Sequence, residues 1–129
     1  MRYKDIVAIV ASPEFPSNVR EWSLCDRAGW SIAHEAAKQG KIPNGFNQWE
    51  IADRIAATSV AHVAARYGNL PKGFDCWELK ARHGWTVAHE AALFDNLPDC
   101  FDLWELQRDD GMTVMDVYEI WSKKRKKIG

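Results

Sequence analysis

Cysteine is scarce: Cys25, Cys76 and Cys100 form no close-spaced pair or cluster, and an odd number is a poor disulfide framework. Reduced thiols in a cytoplasmic protein are therefore expected. Long apolar runs are missing as well, and none approaches the ~20 residues that a membrane span requires. The opening MRYKDIVAIVASPEF has a basic residue, an apolar stretch and a small-residue end, but Asp5 breaks an apolar core already too short for a signal peptide. There is no Gly-rich phosphate loop, no G-x-S-x-G and no Cys-x-x-Cys. Neither an enzyme nor a cofactor is expected. Net charge is also small, −1, but unevenly spread. The run KKRKK, Lys123 to Lys127, holds five of the 17 basic residues, which leaves 12 against 18 acidic ones, a body of −6.

What the chain has in quantity is self-similarity. Pro16, Pro43, Pro71 and Pro98 recur at intervals of 27, 28 and 27 residues, each after an apolar residue (Phe15, Ile42, Leu70, Leu97). Three residues on stands Val19, Phe46, Phe74 or Phe101, then Trp22, Trp49, Trp77 or Trp104, then Leu24, Ile51, Leu79 or Leu106. After a polar turn comes [Ser/Thr]-[Val/Ile]-Ala-His-x-Ala-Ala in three of the copies. A fixed period of this kind is the mark of a stacked architecture, in which one unit is too thin to bury its own apolar face.

Local signals divide each unit. Ser31, Ser59, Thr86 and Thr113 stand where a helix would start, and Thr113 with Asp116 forms a capping box. Small alanines follow on one side, and Gly40 and Gly68 supply a left-handed stop, with Asp95 in their place in the third copy. Proline then follows, as a helix terminator or as the first residue of a second helix of one to two turns. The i, i+3 pairs Phe46–Trp49, Phe74–Trp77 and Phe101–Trp104 put both rings on one face of it. The boundaries follow: an N-terminal capping unit over 1–25, units over 26–52, 53–79 and 80–106, a capping helix over 107–122 and a basic tail over 123–129.

The stretch Gly-x-Thr-Val-Ala-His-Glu-Ala-Ala-x-x-Asp-Asn-Leu at 84–97 resembles the ankyrin repeat, whose hallmark is Thr-Pro-Leu-His-x-Ala-Ala after a glycine turn. Here Ile-Ala or Val-Ala replaces Pro-Leu, and the unit is about five residues shorter than the usual 33. The resemblance implies an all-α fold, an ankyrin-like helical-hairpin solenoid of about three full repeats between N-terminal and C-terminal capping units, with an abbreviated second helix. It also implies that His34, His62 and His89 are structural, each ring hydrogen-bonding the capping hydroxyl and the neighbouring turn.

Those histidines otherwise invite a metal or general-base reading. Each holds the same place in its unit, and HEAA is not H-E-x-x-H, so no metal site is expected. Glu35 and Glu90 read as a solvated helix face, and His83 as a solvated turn residue. Trp22, Trp49, Trp77 and Trp104 keep register with Phe and read as core. Trp30 and Trp85 follow the turn glycine, with Thr58 and Met112 at that place elsewhere. Two readings stay open for this ladder: an exposed interaction surface, or rings stacked on one another and half buried.

Variable positions beside a constant scaffold are where recognition resides. Lys38-Gln39, Arg66-Tyr67 and Leu93-Phe94 follow the Ala-Ala pair, and in the resembled family these positions line the concave groove. With Trp30, Trp85 and Met112 they are the candidate partner-binding residues of a non-catalytic protein-interaction module. The alternative is a small acidic inhibitor, or nucleic-acid mimic, blocking a nucleic-acid-handling complex by virtue of the −6 body. Direct nucleic-acid binding is disfavoured, since one basic run at a terminus makes no basic face. No membrane partner is expected, and the sequence sets no oligomeric state.

Overall fold

The computed structural model describes residues 1–128, with side chains through residue 123. The Lys124 to Lys127 part of the basic run thus falls outside the described side chains. The fold is all-α. Five helices follow in order: α1 (Tyr3–Ala11), α2 (Ile32–Gln39), α3 (Val60–Tyr67), α4 (Val87–Leu93) and α5 (Val114–Ile128), with a short 3-10 turn at Arg82–Gly84. Each helix packs on the next in the chain, α1 on α2 through to α4 on α5. Among the described residues no helix is long and apolar enough to cross a membrane.

The short middle helices are held at both ends by side chains and turns. Isolated, seven or eight residues could not sustain a helix, because the first turn costs more entropy than one bond returns. Ser31, Ser59 and Thr86 accept the amide of the third helical residue, each at 3.1 Å. The first two amides of each helix are taken by the preceding turn. Val60 donates to Ile51 and Ala61 to Trp49, at 2.9 and 3.2 Å, and the same pair recurs at the starts of α2, α4 and α5. The orphan donors of a helix start are thus accounted for one by one. Thr113 and Asp116 close the expected capping box on α5 at 3.1 and 3.0 Å.

At the other end Gly40 and Gly68 take φ of 71° and 72°, and Asp95 takes 60° without glycine's freedom. The following residue then bonds back, as Asn69 does to Ala64 at 2.7 Å. Asn69 does more: its side-chain amide donates to the carbonyls of Ala37 and Lys38, at 2.9 and 3.2 Å. Asn96 repeats this on Ala65 and Arg66, while Lys41 reaches Val10 of α1. The units of α2, α3 and α4 thus each reach the last carbonyls of the helix before them.

The expected second helix is not there, and the helical hairpin is corrected to a helix followed by two turns. In the tract after each proline, Phe46 bonds back to Pro43 and Ile51 to Gln48, both at 3.3 Å, and the later units do the same. In two of the units the reason is local, while the third makes the same turns with Cys100 in the glycine's place. Gly45 and Gly73, two residues after proline, adopt φ of 84° and 85°, a left-handed setting through which a right-handed helix cannot propagate. The turns still bring the rings together. Phe15, Trp22, Phe46, Trp49, Phe74, Trp77, Phe101, Trp104 and Tyr118 form one chain of edge-to-face contacts with centroids 5.0 to 5.7 Å apart. This arrangement favours the ring quadrupoles as well as burial. Trp49 and Trp77 are buried, and Trp22 and Trp104, nearer the ends, are half-buried. Opposite them lie the fully buried alanines of α2, α3 and α4.

Successive turns are also stitched: Arg54 donates to Ala28 at 2.8 Å, Arg82 to Ala56 at 3.0 Å, and Asp109 to His83 at 3.0 Å. A side chain on Gly84 would sit 2.7 Å from the Asp109 nitrogen, whereas one on Gly73 would meet open space. Both have positive φ. Gly84→Ala is therefore expected to cost about 2–4 kcal/mol, left-handed strain plus overpacking, and Gly73→Ala only about 1–2 kcal/mol. Equal urea midpoints for the two variants would contradict this account of the stitch.

Candidate functional site

The three histidines are buried and geometrically alike. His62 Nδ1 lies 2.7 Å from Ser59 Oγ, and its Nε2 lies 2.8 Å from the Trp85 carbonyl in the next unit. His34 spans from Ser31 to the Thr58 carbonyl at 2.8 and 2.9 Å, and His89 from Thr86 to the Met112 carbonyl at 2.7 and 2.9 Å. A carbonyl can only accept, so Nε2 carries the proton and Nδ1 is the acceptor. For His34 and His62 the amide of the capping serine also donates to Nδ1, at 3.1 and 3.3 Å. Both ring nitrogens are thus committed to protein partners. Burial lowers all three pKa values, outweighing the carbonyl that would favour the charged ring.

The ladder residues fit neither open reading fully. Trp30 and Trp85 are half-buried, but each lies against its own unit's histidine, at 4.9 Å from His34 and 5.2 Å from His89. Trp30 Nε1 donates to Glu35 at 3.1 Å, and Trp85 Nε1 donates to Glu90. Thr58 and Met112 are half-buried too. The Arg108 guanidinium lies over the Trp85 ring, 5.6 Å from its centroid.

The solvated-face reading of Glu35 is corrected. Glu35 is 1% exposed and accepts from the Tyr3 hydroxyl at 2.9 Å, from Trp30, and from Gln39 at 2.7 Å. Burial alone would raise its pKa, but these donors and Lys38 bring it below the usual value. Glu90, at the same place in its unit, is half-buried with Trp85 as its donor. Burial pushes its carboxyl up, only partly offset by Trp85 and the charge of Arg66. Helical spacing suggests an outward position; the ladder tryptophan of the same unit reaches over it instead, Trp30 over Glu35 and Trp85 over Glu90. His83 is exposed in its turn, with φ of 64°.

Of the variable positions, Lys38, Gln39, Arg66, Tyr67 and Phe94 are exposed and Leu93 is half-buried. The Arg66 guanidinium lies 5.8 Å from the Tyr67 ring and 5.2 Å from the Phe94 ring, so the three form one ridge across α3 and α4. Beside the ridge opens a slot of about 310 Å³ lined by Trp30, Asp53, Thr58, His62, Val63, Arg66, Tyr67, Ala81, Trp85 and Glu90. Four of these are among the expected partner-binding positions (Trp30, Arg66, Tyr67, Trp85), Thr58 is a ladder position and His62 a structural one; Asp53, Val63, Ala81 and Glu90 are not expected there. Tyr3 was also missed, although it aligns 27 residues before Trp30. Set against known families and curated proteins, the sequence matches no family model and no curated protein.

Proposed function

We propose that this chain is an ankyrin-like helical solenoid that works as a non-catalytic protein-binding module, engaging another protein through the face that carries Arg66, Tyr67, Phe94, Trp30 and Trp85. The observation that carries this reading is the Arg66–Tyr67–Phe94 ridge. Large aromatic rings and a guanidinium, stacked and left in water on two adjacent helices, are the residue types that dominate interface energetics. The histidines support it from the other side, since their nitrogens are spent on holding units together. The three free cysteines suit a reducing, cytoplasmic setting.

Partner capture followed by affinity measurement tests the reading. Tyr67→Ala with Phe94→Ala is expected to weaken the complex by about 30-fold or more, the scale of one anchor residue. The complex should persist from low to moderate salt. Affinity that collapses with salt and ignores the two aromatic rings would instead favour the acidic mimic.

A further inference from the structure

The slot beside the ridge has an internal counterpart that is already filled. Tyr3, Trp30, Thr58, Trp85 and Met112 occupy one place in successive units, at intervals of 27, 28, 27 and 27 residues. At Glu35, the tyrosine one unit earlier reaches across and donates its hydroxyl at 2.9 Å, while Gln39, four residues on, donates at 2.7 Å. At Glu90 both donors are missing. Thr58 stands where Tyr3 would, too short to reach, and Phe94 stands where Gln39 would, with nothing to donate. The space a tyrosine would take is the slot. Val63, which also lines it, is the middle unit's replacement for the glutamate.

We propose that this slot receives a tyrosine side chain of the bound protein partner, its ring between Trp30 and Trp85 and its hydroxyl donating to Glu90 as that of Tyr3 donates to Glu35. The proposal rests on the protein-binding reading and names the anchor. Size permits it: a cavity of about 150 Å³ already takes benzene, and this one offers about 310 Å³. The chemistry asks for a donor on an apolar stem. The Glu90 carboxylate has Trp85 as its only hydrogen-bond donor among the described residues, against three donors at the Glu35 carboxylate. A cation is the less suitable guest, because Arg66 already lines the slot and acts on Glu90 by its charge. A neutral phenol avoids that repulsion.

Titration of N-acetyl-tyrosinamide, followed by the indole N–H resonances of Trp30 and Trp85, tests the proposal directly. A saturable shift of the Trp85 resonance is expected, with affinity roughly tenfold above that of N-acetyl-phenylalaninamide, the worth of a hydrogen bond to a charged group. Glu90→Val, which copies Val63, should erase that preference. Thr58→Tyr should fill the slot from within and abolish the shift, and it keeps the test decisive if Glu90→Val fails to fold. Equal affinity for the phenylalanine amide, tighter binding of N-acetyl-lysinamide, or no saturable shift would each overturn the proposal. Capture of the native partner separates this from the broader reading. Binding lost in Phe94→Ala but intact in Thr58→Tyr sinks the tyrosine slot and leaves the binding module standing. Binding indifferent to Phe94 sinks the ridge, while the amide titration still judges the slot.

Discussion

Replacing His62 with alanine is expected to lower the unfolding free energy by about 3–5 kcal/mol, a large share of the ~5–15 kcal/mol a domain of ordinary stability holds. The ring is 1% exposed and sits between α3 and the turn before α4. Its loss leaves a cavity where a large side chain was, and strands two donors together. The Ser59 hydroxyl and amide lose their acceptor, while the Trp85 carbonyl loses its link to α3 and keeps only the Ala81 amide as donor. Each unsatisfied buried group costs about 1–3 kcal/mol, partly recovered where water can enter. In a thermal scan the shift should be about 10–20 °C for a chain of this size. Two controls fix the interpretation. Ser59→Ala removes the cap but leaves the ring, and should cost about 1 kcal/mol. His83→Ala, at an exposed turn, should change stability by less than about 0.5 kcal/mol. A His62→Ala protein as stable as Ser59→Ala would mean that the ring does not join the units.

Much of the scaffold is legible in the sequence because its causes are local. A serine or threonine three residues before histidine starts a helix, and Gly40 and Gly68 end one, through bonds that span only a few residues. The tract from Pro43 to Ile51 misleads because the i, i+3 spacing of Phe46 and Trp49 is common to a helix and to two consecutive turns. The discriminating signal was present in Gly45 and Gly73, whose φ of 84° and 85° breaks a helix. Ala57 shows the opposite limit: it stands in the place of Gly29 and Gly84 and still takes φ of 54°, held by its surroundings against its own preference. What periodicity could not give was contact between units. The burial of Glu35 depends on Tyr3, 32 residues away, and the reach of Asn69 to Ala37 also spans 32 residues. Aligning Tyr3 with the tryptophan ladder would have exposed the first of these, and with it the unfilled place at Thr58.

Acidification from pH 7.5 to 5.5 is expected to remove up to about 4 kcal/mol of stability, with the three buried histidines responsible. In the unfolded chain each ring takes up a proton near pH 6.5. In the folded chain burial lowers all three pKa values. The nearby charges are few: Asp53 favours the charged form of His34 and His62, Asp26 adds to this at His34, and Asp110 opposes Arg108 at His89. Below pH 6.5 the unfolded state therefore binds protons that the folded state refuses, and stability falls as pH falls. Each ring that stays neutral contributes a slope of about 1.4 kcal/mol per pH unit, so three approach about 4. The carboxyls do not mimic this. Glu35, held low by its donors, stabilises above the ordinary glutamate range and surrenders that only at more acid pH. Glu90, pushed up by burial, has the reverse sign, since its protonation relieves a desolvated charge as pH falls. Urea midpoints at pH 7.5 and 5.5 measure the effect. Replacing one histidine by glutamine should remove about a third of the slope. A profile flat across that interval would mean that the rings accept protons in place, against the geometry in which Nδ1 already receives a hydroxyl and Nε2 already faces a carbonyl.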